Sequence, residues 1–237
     1  AWAELEAQLV ALQTADELAA WQASQTGHQL SSRAADGSKL RLFGSTREDE
    51  VRVVFYRDHA AWCPYCQKVQ SALEEKQVSY RIVKVNMNCY GQKDASFLAK
   101  NPMGLLPVAE VDGRLITDSN QILGVLEATF REHSLIPSGR EDEVKALLSL
   151  ERRLFGSWFN WLRNSFGDAA NREAFERDLA LVEARLGRVS QDGPYFLGKD
   201  FSIVECHFAS FLERMAASLA YFKGFQMRCN PDLPHLE

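Results

Sequence analysis

The 237-residue chain is 46% hydrophobic and 25% charged with a formal net charge of −5, enough apolar material for one large domain or two small ones. The acidic balance leaves no basic patch for nucleic acid or an anionic membrane, and no apolar run reaches the roughly 18 residues a membrane span needs. Five cysteines, at 63, 66, 89, 206 and 229, are too few and too scattered for a disulfide scaffold, so a reducing compartment is expected.

The chain opens on Ala1, which leaves two readings, a removed targeting segment or a late start; no secretory or transit pattern is visible. Trp2, Leu5, Leu9 and Leu12 recur at helical spacing, so residues 2–24 read as helix. Thr14 with Glu17 fits a capping box for a second short helix over 15–24. The apolar stripe suits a helix docked on its own protein or, alternatively, one that docks on a partner. The Ser/Gly-rich stretch 24–39 reads as loop. Leu40-Arg41-Leu42-Phe43 is too short to classify, and Glu48-Asp49-Glu50 reads as a solvated approach to a strand.

From residue 51 the periods alternate. A strand over 51–56 leads to a helix over 63–76, a strand over 80–86, a loop and a short helix near 94–100. Val108-Ala109-Glu110-Val111 and Arg114-Leu115-Ile116, joined by Asp112-Gly113, predict a hairpin with a two-residue turn. A helix over 119–129 follows, with Ile122, Leu123 and Leu126 on its apolar side. The order βαβ then ββα predicts an α/β sandwich with a mixed sheet. Residues 130–141, with Pro137 and Gly139, read as a linker. Segments 142–166, 171–187 and 202–222 have helical spacing only, and Ser202 with Glu205 makes a further capping box. The predicted organisation is an extension (1–50), an α/β domain (51–129), a linker (130–141) and an all-helical domain (142–237). Residues 230–237 read as the entry to another helix, so the last domain is expected to be incomplete.

Cys63-Pro64-Tyr65-Cys66 carries the chemistry. A strand feeding a helix that starts at a cysteine aims backbone N–H groups and the positive helix end at the sulfur, which favours the reactive thiolate. Pro64 sits in the first turn, where its missing N–H costs nothing. Cys66, Val69 and Leu73 share one helical face, expected to be buried, while Cys63 is expected to be exposed at the cap. Cys63 is therefore the candidate nucleophile and Cys66 the candidate resolving thiol. Half of a zinc site is a weaker reading because no second cysteine pair exists; an idle structural disulfide is another. Cys89 and Cys206 read as packed or partly exposed thiols, and His59 as a loop histidine with a lesser chance of supporting a thiolate.

Three further features point to a ligand. Leu106-Pro107 stands directly before a strand, where a cis bond is expected to present the backbone of Leu106 to a peptide-like molecule. Asp118-Ser119 lies at a helix start, suited to an amino-acid head group, with N–H groups for its carboxylate and Asp118 for its ammonium. Lys93 is a candidate partner for a second carboxylate. A small zwitterionic thiol peptide, glutathione, has this chemistry.

The segments Ala61-Trp62-Cys63-Pro64-Tyr65-Cys66-Gln67-Lys68-Val69, Asn101-Pro102-Met103-Gly104-Leu105-Leu106-Pro107-Val108 and Thr117-Asp118-Ser119 resemble the cysteine-type, glutaredoxin-like members of the glutathione transferase superfamily. Leu73-Glu74-Glu75-Lys76 and Asn86-Met87-Asn88-Cys89-Tyr90-Gly91 are similar to the iota class of photosynthetic organisms. The resemblance spans roughly 51–222 and includes Phe196-Leu197-Gly198-Lys199-Asp200-Phe201-Ser202; residues 1–50 lie outside it. It implies a thioredoxin-like N-terminal domain, an all-helical C-terminal domain and a mixed disulfide between Cys63 and glutathione. Leu106 and Pro107 would face the cysteinyl part, Asp118 and Ser119 the γ-glutamyl end, and Lys93 the glycyl carboxylate. Tyr65 and the Trp158 and Trp161 region would line a pocket for a disulfide or electrophilic co-substrate. Phe155, Trp158, Phe159, Trp161 and Phe166 also follow helix-packing periods, for which core is the default. The implied activity is glutathione-dependent thiol transfer, as deglutathionylation or dehydroascorbate-type reduction. The alternative is a non-catalytic subunit of a larger, photosynthetic complex, joined through the N-terminal extension. A plastid location follows from the family resemblance, a cytoplasmic one otherwise.

Overall fold

The computed structural model describes residues 40–89, 91–164 and 166–236; the helices expected over 2–24 and the loop over 24–39 lie outside them. The described residues form two compact units, 40–61 with 77–122, and 62–76 with 123–236.

The first unit is built on a five-stranded sheet of order β1-β3-β2-β4-β5. Its strands are β1 (Leu40–Arg41), β2 (Val53–Asp58), β3 (Tyr80–Val85), β4 (Val108–Val111) and β5 (Arg114–Ile116). β2 and β3 run parallel, Val53 opposite Tyr80, while β1, β4 and β5 each pair antiparallel, so the sheet is mixed as predicted. A parallel pair needs a crossover, and the chain supplies it as α1 (Pro64–Glu75). β2 is buried almost without interruption, apolar over Val53–Tyr56 and ending in the buried Arg57 and Asp58, the mark of a central strand covered on both faces. The tetrapeptide too short to classify supplies the edge strand, because two residues pair with Tyr80 and Arg81. Glu48–Glu50 is an exposed 3-10 turn. In the β4–β5 turn both Asp112 (φ 51°) and Gly113 (φ 78°) adopt positive φ, as a two-residue hairpin requires. The short helix α2 (Ala95–Lys100) is capped by Asp94, whose Oδ1 accepts from the Ser96 N–H at 2.7 Å. Its Phe97 packs with Tyr56, Val85 and Val108.

The second unit contains α1, most of α3 (Ser119–Thr129), α4 (Glu141–Arg163), α5 (Asp168–Val189) and α6 (Ile203–Lys223). α1 packs on α6, and α4 packs on both α5 and α6. Their shared core holds Leu154, Phe175, Phe208 and Met215. Trp158 and Trp161 also belong to it. Trp161 is only 1% exposed and donates Nε1–H to Asp168 at 3.1 Å, while Trp158 donates to Ser218 at 3.1 Å. The periodicity that left these two open between core and pocket wall is thus resolved in favour of core.

The capping box opening α6 extends beyond its own helix. Glu205 accepts from the Ser202 N–H at 2.8 Å, and its other oxygen accepts from the Phe196 N–H at 2.7 Å. One buried carboxylate therefore satisfies the helix start and the preceding turn together. At the end of α1, the buried Lys76 ammonium lies 2.7 Å from Glu127 Oε1 on α3 and donates to the His133 carbonyl at 2.9 Å. Glu127 also accepts from the Leu135 N–H at 3.2 Å, which ties down the connection to α4.

An α/β half with a mixed sheet, followed in the chain by a helical half, is the thioredoxin-like and all-helical order that the motifs imply. Strand β2 runs two residues later than the 51–56 expected, and α4 stops at Arg163 rather than 166, where Asn164 turns extended and Gly167 takes φ 68°.

Candidate active site

Cys63 is the N-cap of α1, with φ −70° and ψ 117°; Pro64 follows at the first helical position. Its carbonyl accepts the first helical bond, from the Gln67 N–H at 3.0 Å. The sulfur-bearing side chain therefore leaves the chain where the amides at the helix start have no intrahelical acceptor, the setting that stabilises a thiolate. All the cysteines are thiols, with no disulfide among them. Cys63 departs from expectation in one respect: it is buried, with 7% exposure, rather than exposed at the cap. Within its unit, α6 approaches the turn that bears it, since Arg214 Nη2 donates to the carbonyl of Trp62 and Gln67 Nε2 donates to Glu213 at 3.4 Å. Cys66 is fully buried together with Val69 and Leu73, as their shared face predicts. Cys206 offers a contrast, because burial pushes its thiol pKa far up and leaves it an inert core residue.

Around Cys63 the second unit gathers aromatic rings. Tyr65, partly exposed, meets the ring of Phe211 edge-on at 5.1 Å, and Phe211 meets Phe155 edge-on at 5.1 Å. Beneath them lie three charged or titratable residues from three helices: Lys68 of α1 (3% exposed), Glu151 of α4 (5%) and His207 of α6 (8%). Burial raises the Glu151 pKa, with Arg152 and Lys68 opposing. Burial, aided by Lys68 and Arg152, pushes His207 down to about 3, so its ring is neutral. Burial also raises the Tyr65 pKa; Arg152 opposes it, whereas the charges of Glu151 and Cys63 add to it. Tyr65 thus feels both Cys63 and the α4 charges.

The remaining predicted residues belong to the first unit. The Leu106–Pro107 bond is cis, as expected. The turn before it is held by Asn101 Nδ2, which donates to the Leu105 carbonyl at 2.7 Å. Lys93 Nζ donates to Asn88 Oδ1 at 2.9 Å, and its stem lies against Gly104, where a Cβ would come within 3.3 Å of the lysine Cδ. Asp118 caps α3 through Oδ1, which accepts from the Asn120 and Gln121 N–H groups at 2.9 and 3.0 Å, and Ser119 is buried beside it. One Asp118 oxygen is therefore already committed to the helix start, a use the sequence reading did not assign.

Sequence reasoning missed Lys68, Glu151, Arg152, His207 and Arg214. A signal was present: Lys68 adjoins Val69 on the apolar face of α1, and His207 lies between Cys206 and Phe208 in an apolar helix. A charge on a buried stripe marks a polar cluster, but not which helices complete it.

The family model for the glutathione S-transferase N-terminal domain matches residues 62–129, and that for the C-terminal domain matches residues 143–237. Glutathione S-transferase DHAR2 of Arabidopsis thaliana is 27% identical over 165 residues, covering 70% of this chain and 72% of its own. Glutathione S-transferase omega-1 of Mus musculus is 27% identical, over 66% of this chain and 63% of its own. Among solved structures, glutathione transferase Omega 3C from Trametes versicolor superposes with a TM-score of 0.67 at 24% identity, covering 78% of this chain and 82% of its own. Dehydroascorbate reductase from Chlamydomonas reinhardtii superposes with a TM-score of 0.64 at 22% identity, over 79% and 93%. With its α/β half and its helical half each matched by the corresponding domain, the chain belongs to the glutathione transferase superfamily.

Proposed function

We propose that this protein is a glutathione-dependent thiol transferase in which Cys63 is the nucleophile. The Cys63 thiolate attacks the glutathionyl sulfur of a mixed disulfide; a Cys63–glutathione disulfide forms and the other thiol leaves as thiolate. A second glutathione thiolate then attacks the glutathionyl sulfur, releasing oxidised glutathione and restoring the Cys63 thiolate. With dehydroascorbate as acceptor, the same two glutathiones supply the two electrons. Cys66 has the supporting role of an alternative resolving thiol. Leu106 and Pro107 present backbone to the cysteinyl part of glutathione, Asp118 and Ser119 hold its γ-glutamyl end, Lys93 meets its glycyl carboxylate, and Tyr65 borders the acceptor.

The observation that carries this reading is Cys63 at the N-cap of α1 behind Pro64. A protein thiolate there captures the glutathione sulfur, whereas conjugation to an electrophile needs the glutathione thiolate itself, held by a hydroxyl donor. The names of the relatives, which include a dehydroascorbate reductase, favour the same chemistry. The phrases around Leu73 and Asn86 favour the iota class within the superfamily, and with it a plastid location.

Intact mass after incubation with oxidised glutathione tests the mechanism. A gain of one glutathionyl group is expected, lost in Cys63→Ser together with turnover of a small mixed disulfide. Unchanged turnover in Cys63→Ser overturns the mechanism.

A further inference from the structure

Along the exposed side of α4, two rings stand between two cations at helical spacing. The Arg152 guanidinium lies 4.5 Å from the centre of the Phe155 ring. Phe155 and Phe159 stack at 5.8 Å with 11° between their planes, and Arg163 lies 5.1 Å from the centre of the Phe159 ring. The edge-on contacts of Phe155 with Phe211, and of Phe211 with Tyr65, join this ladder to the residue two places after Cys63. Phe159 is exposed, so the stack reaches solvent at a ring edge, its outer faces being capped by the two guanidinium groups.

The charges on α4 are not equivalent. Arg153 is paired with Asp178 at 2.8 Å, Lys145 with Asp142 at 3.1 Å and, at the N-cap, Arg140 with Glu143 at 2.7 Å. Arg152 makes no hydrogen bond or ion pair among the described residues, so beyond its ring contact its fork of donors is uncommitted. The acid beside it does not cancel it: Glu151 is buried, its Oε1 has no hydrogen-bond partner, and burial favours its protonated form. The other charges from packed elements are Lys68 on α1 and, on α6, Arg214 and Glu213, the latter held by Gln67.

We propose that Tyr65, Arg152, Phe155, Phe159 and Phe211 form an acceptor subsite for a planar, carboxylate-bearing thiol, presented as its mixed disulfide with glutathione. A guanidinium fork fits a carboxylate through two parallel hydrogen bonds, and an exposed ring edge meets the face of a flat aromatic body. The assignment rests on the thiol-transfer reading and adds the class of acceptor to it. Cys63 takes the glutathionyl sulfur, the aryl thiolate leaves, and a second glutathione regenerates Cys63 with release of oxidised glutathione.

The test uses mixed disulfides of glutathione with 4-mercaptobenzoate, 4-methylbenzenethiol and 4-(aminomethyl)benzenethiol, compared in wild type, Arg152→Gln and Arg152→Lys. Taking the wild-type to Arg152→Gln ratio for each substrate removes differences in leaving-group chemistry. The carboxylate substrate is expected to lose about tenfold in kcat/KM, mostly through KM, as for one partly exposed charge-assisted hydrogen-bonded pair. The methyl substrate should change little and the ammonium substrate should improve, with Arg152→Lys restoring part of the carboxylate preference. Equal loss on all three substrates overturns the subsite. Should wild type turn over none of them, the thiol-transfer reading fails. The subsite is then judged by tryptophan fluorescence titration with the unreactive 4-(methylsulfanyl)benzoate. Binding about tenfold weaker in Arg152→Gln supports it, and equal binding, or none to wild type, overturns it.

Discussion

At the scale of single residues, the site depends on which charges burial permits. His207 and Glu151 are both buried, and their effects on stability run in opposite directions with pH. The His207 pKa is about 3 in the folded chain against 6.5 ordinarily. It therefore contributes stability that is full above about 6.5 and is lost progressively as pH falls toward 3, because only the unfolded chain takes the proton. Between pH 7 and pH 5 that loss is about 2 kcal/mol. Glu151 has a raised folded pKa, so its contribution is full below its ordinary 4.5 and is lost as pH rises through the folded value. Chemical denaturation across pH 4 to 8 checks both. His207→Gln should flatten the acid limb, and Glu151→Gln should remove the decline on the alkaline side. An acid limb of unchanged slope in His207→Gln would show that other groups govern it.

Two elements depend on a single side chain or on a missing one. Lys76 closes α1 onto Glu127 of α3 with its ammonium almost fully out of water. Lys76→Ala leaves the Glu127 carboxylate without its cation and should cost about 3 kcal/mol, the usual penalty for breaking a buried pair from one side. Urea unfolding measures it, and a cost below about 1 kcal/mol would mean that the pair is effectively solvated. Gly193, in the turn before α6, has φ 155°, and a Cβ there would stand 2.5 Å from the Gly198 carbonyl oxygen and the Lys199 Cα. Both are backbone atoms, so the turn whose Phe196 N–H is held by Glu205 must shift. Gly193→Ala should destabilise by about 2–4 kcal/mol through strain and the weakened cap. A urea midpoint indistinguishable from wild type would show that the turn yields freely.

At the scale of the molecule, the two compact units do not follow the boundary suggested by the change of sequence pattern. α1 interrupts the first unit in the chain yet clusters with the helices of the second, because it packs on α6. Periodicity shows where a helix lies and which face is apolar, but not which neighbour covers that face. No helix among the described residues is long and apolar enough to cross a membrane. The assignment of Cys63 to the second unit yields a functional prediction. Arg214 donates to the carbonyl preceding Cys63, so Arg214→Gln should move the pH midpoint of Cys63 alkylation upward by about one unit through loss of a nearby cation. Iodoacetamide rates across pH measure it; an unmoved midpoint would leave Arg214 a merely structural tie.

Much of the fold was legible because its determinants are local. The Asp112-Gly113 turn, the Ser202–Glu205 capping box, the helix over 119–129 and the cysteine at the start of α1 each depend on residues within a few positions of one another. The burial of Cys63, the core positions of Trp158 and Trp161, and the meeting of Lys68, Glu151 and His207 depend on helices far apart in the chain. The sequence by itself determined the order of elements and the residue types available for thiol chemistry. Only the tertiary structure decided which charges stand near Cys63 and whether they are ionised, because desolvation is a property of the packed neighbours and not of the local chain.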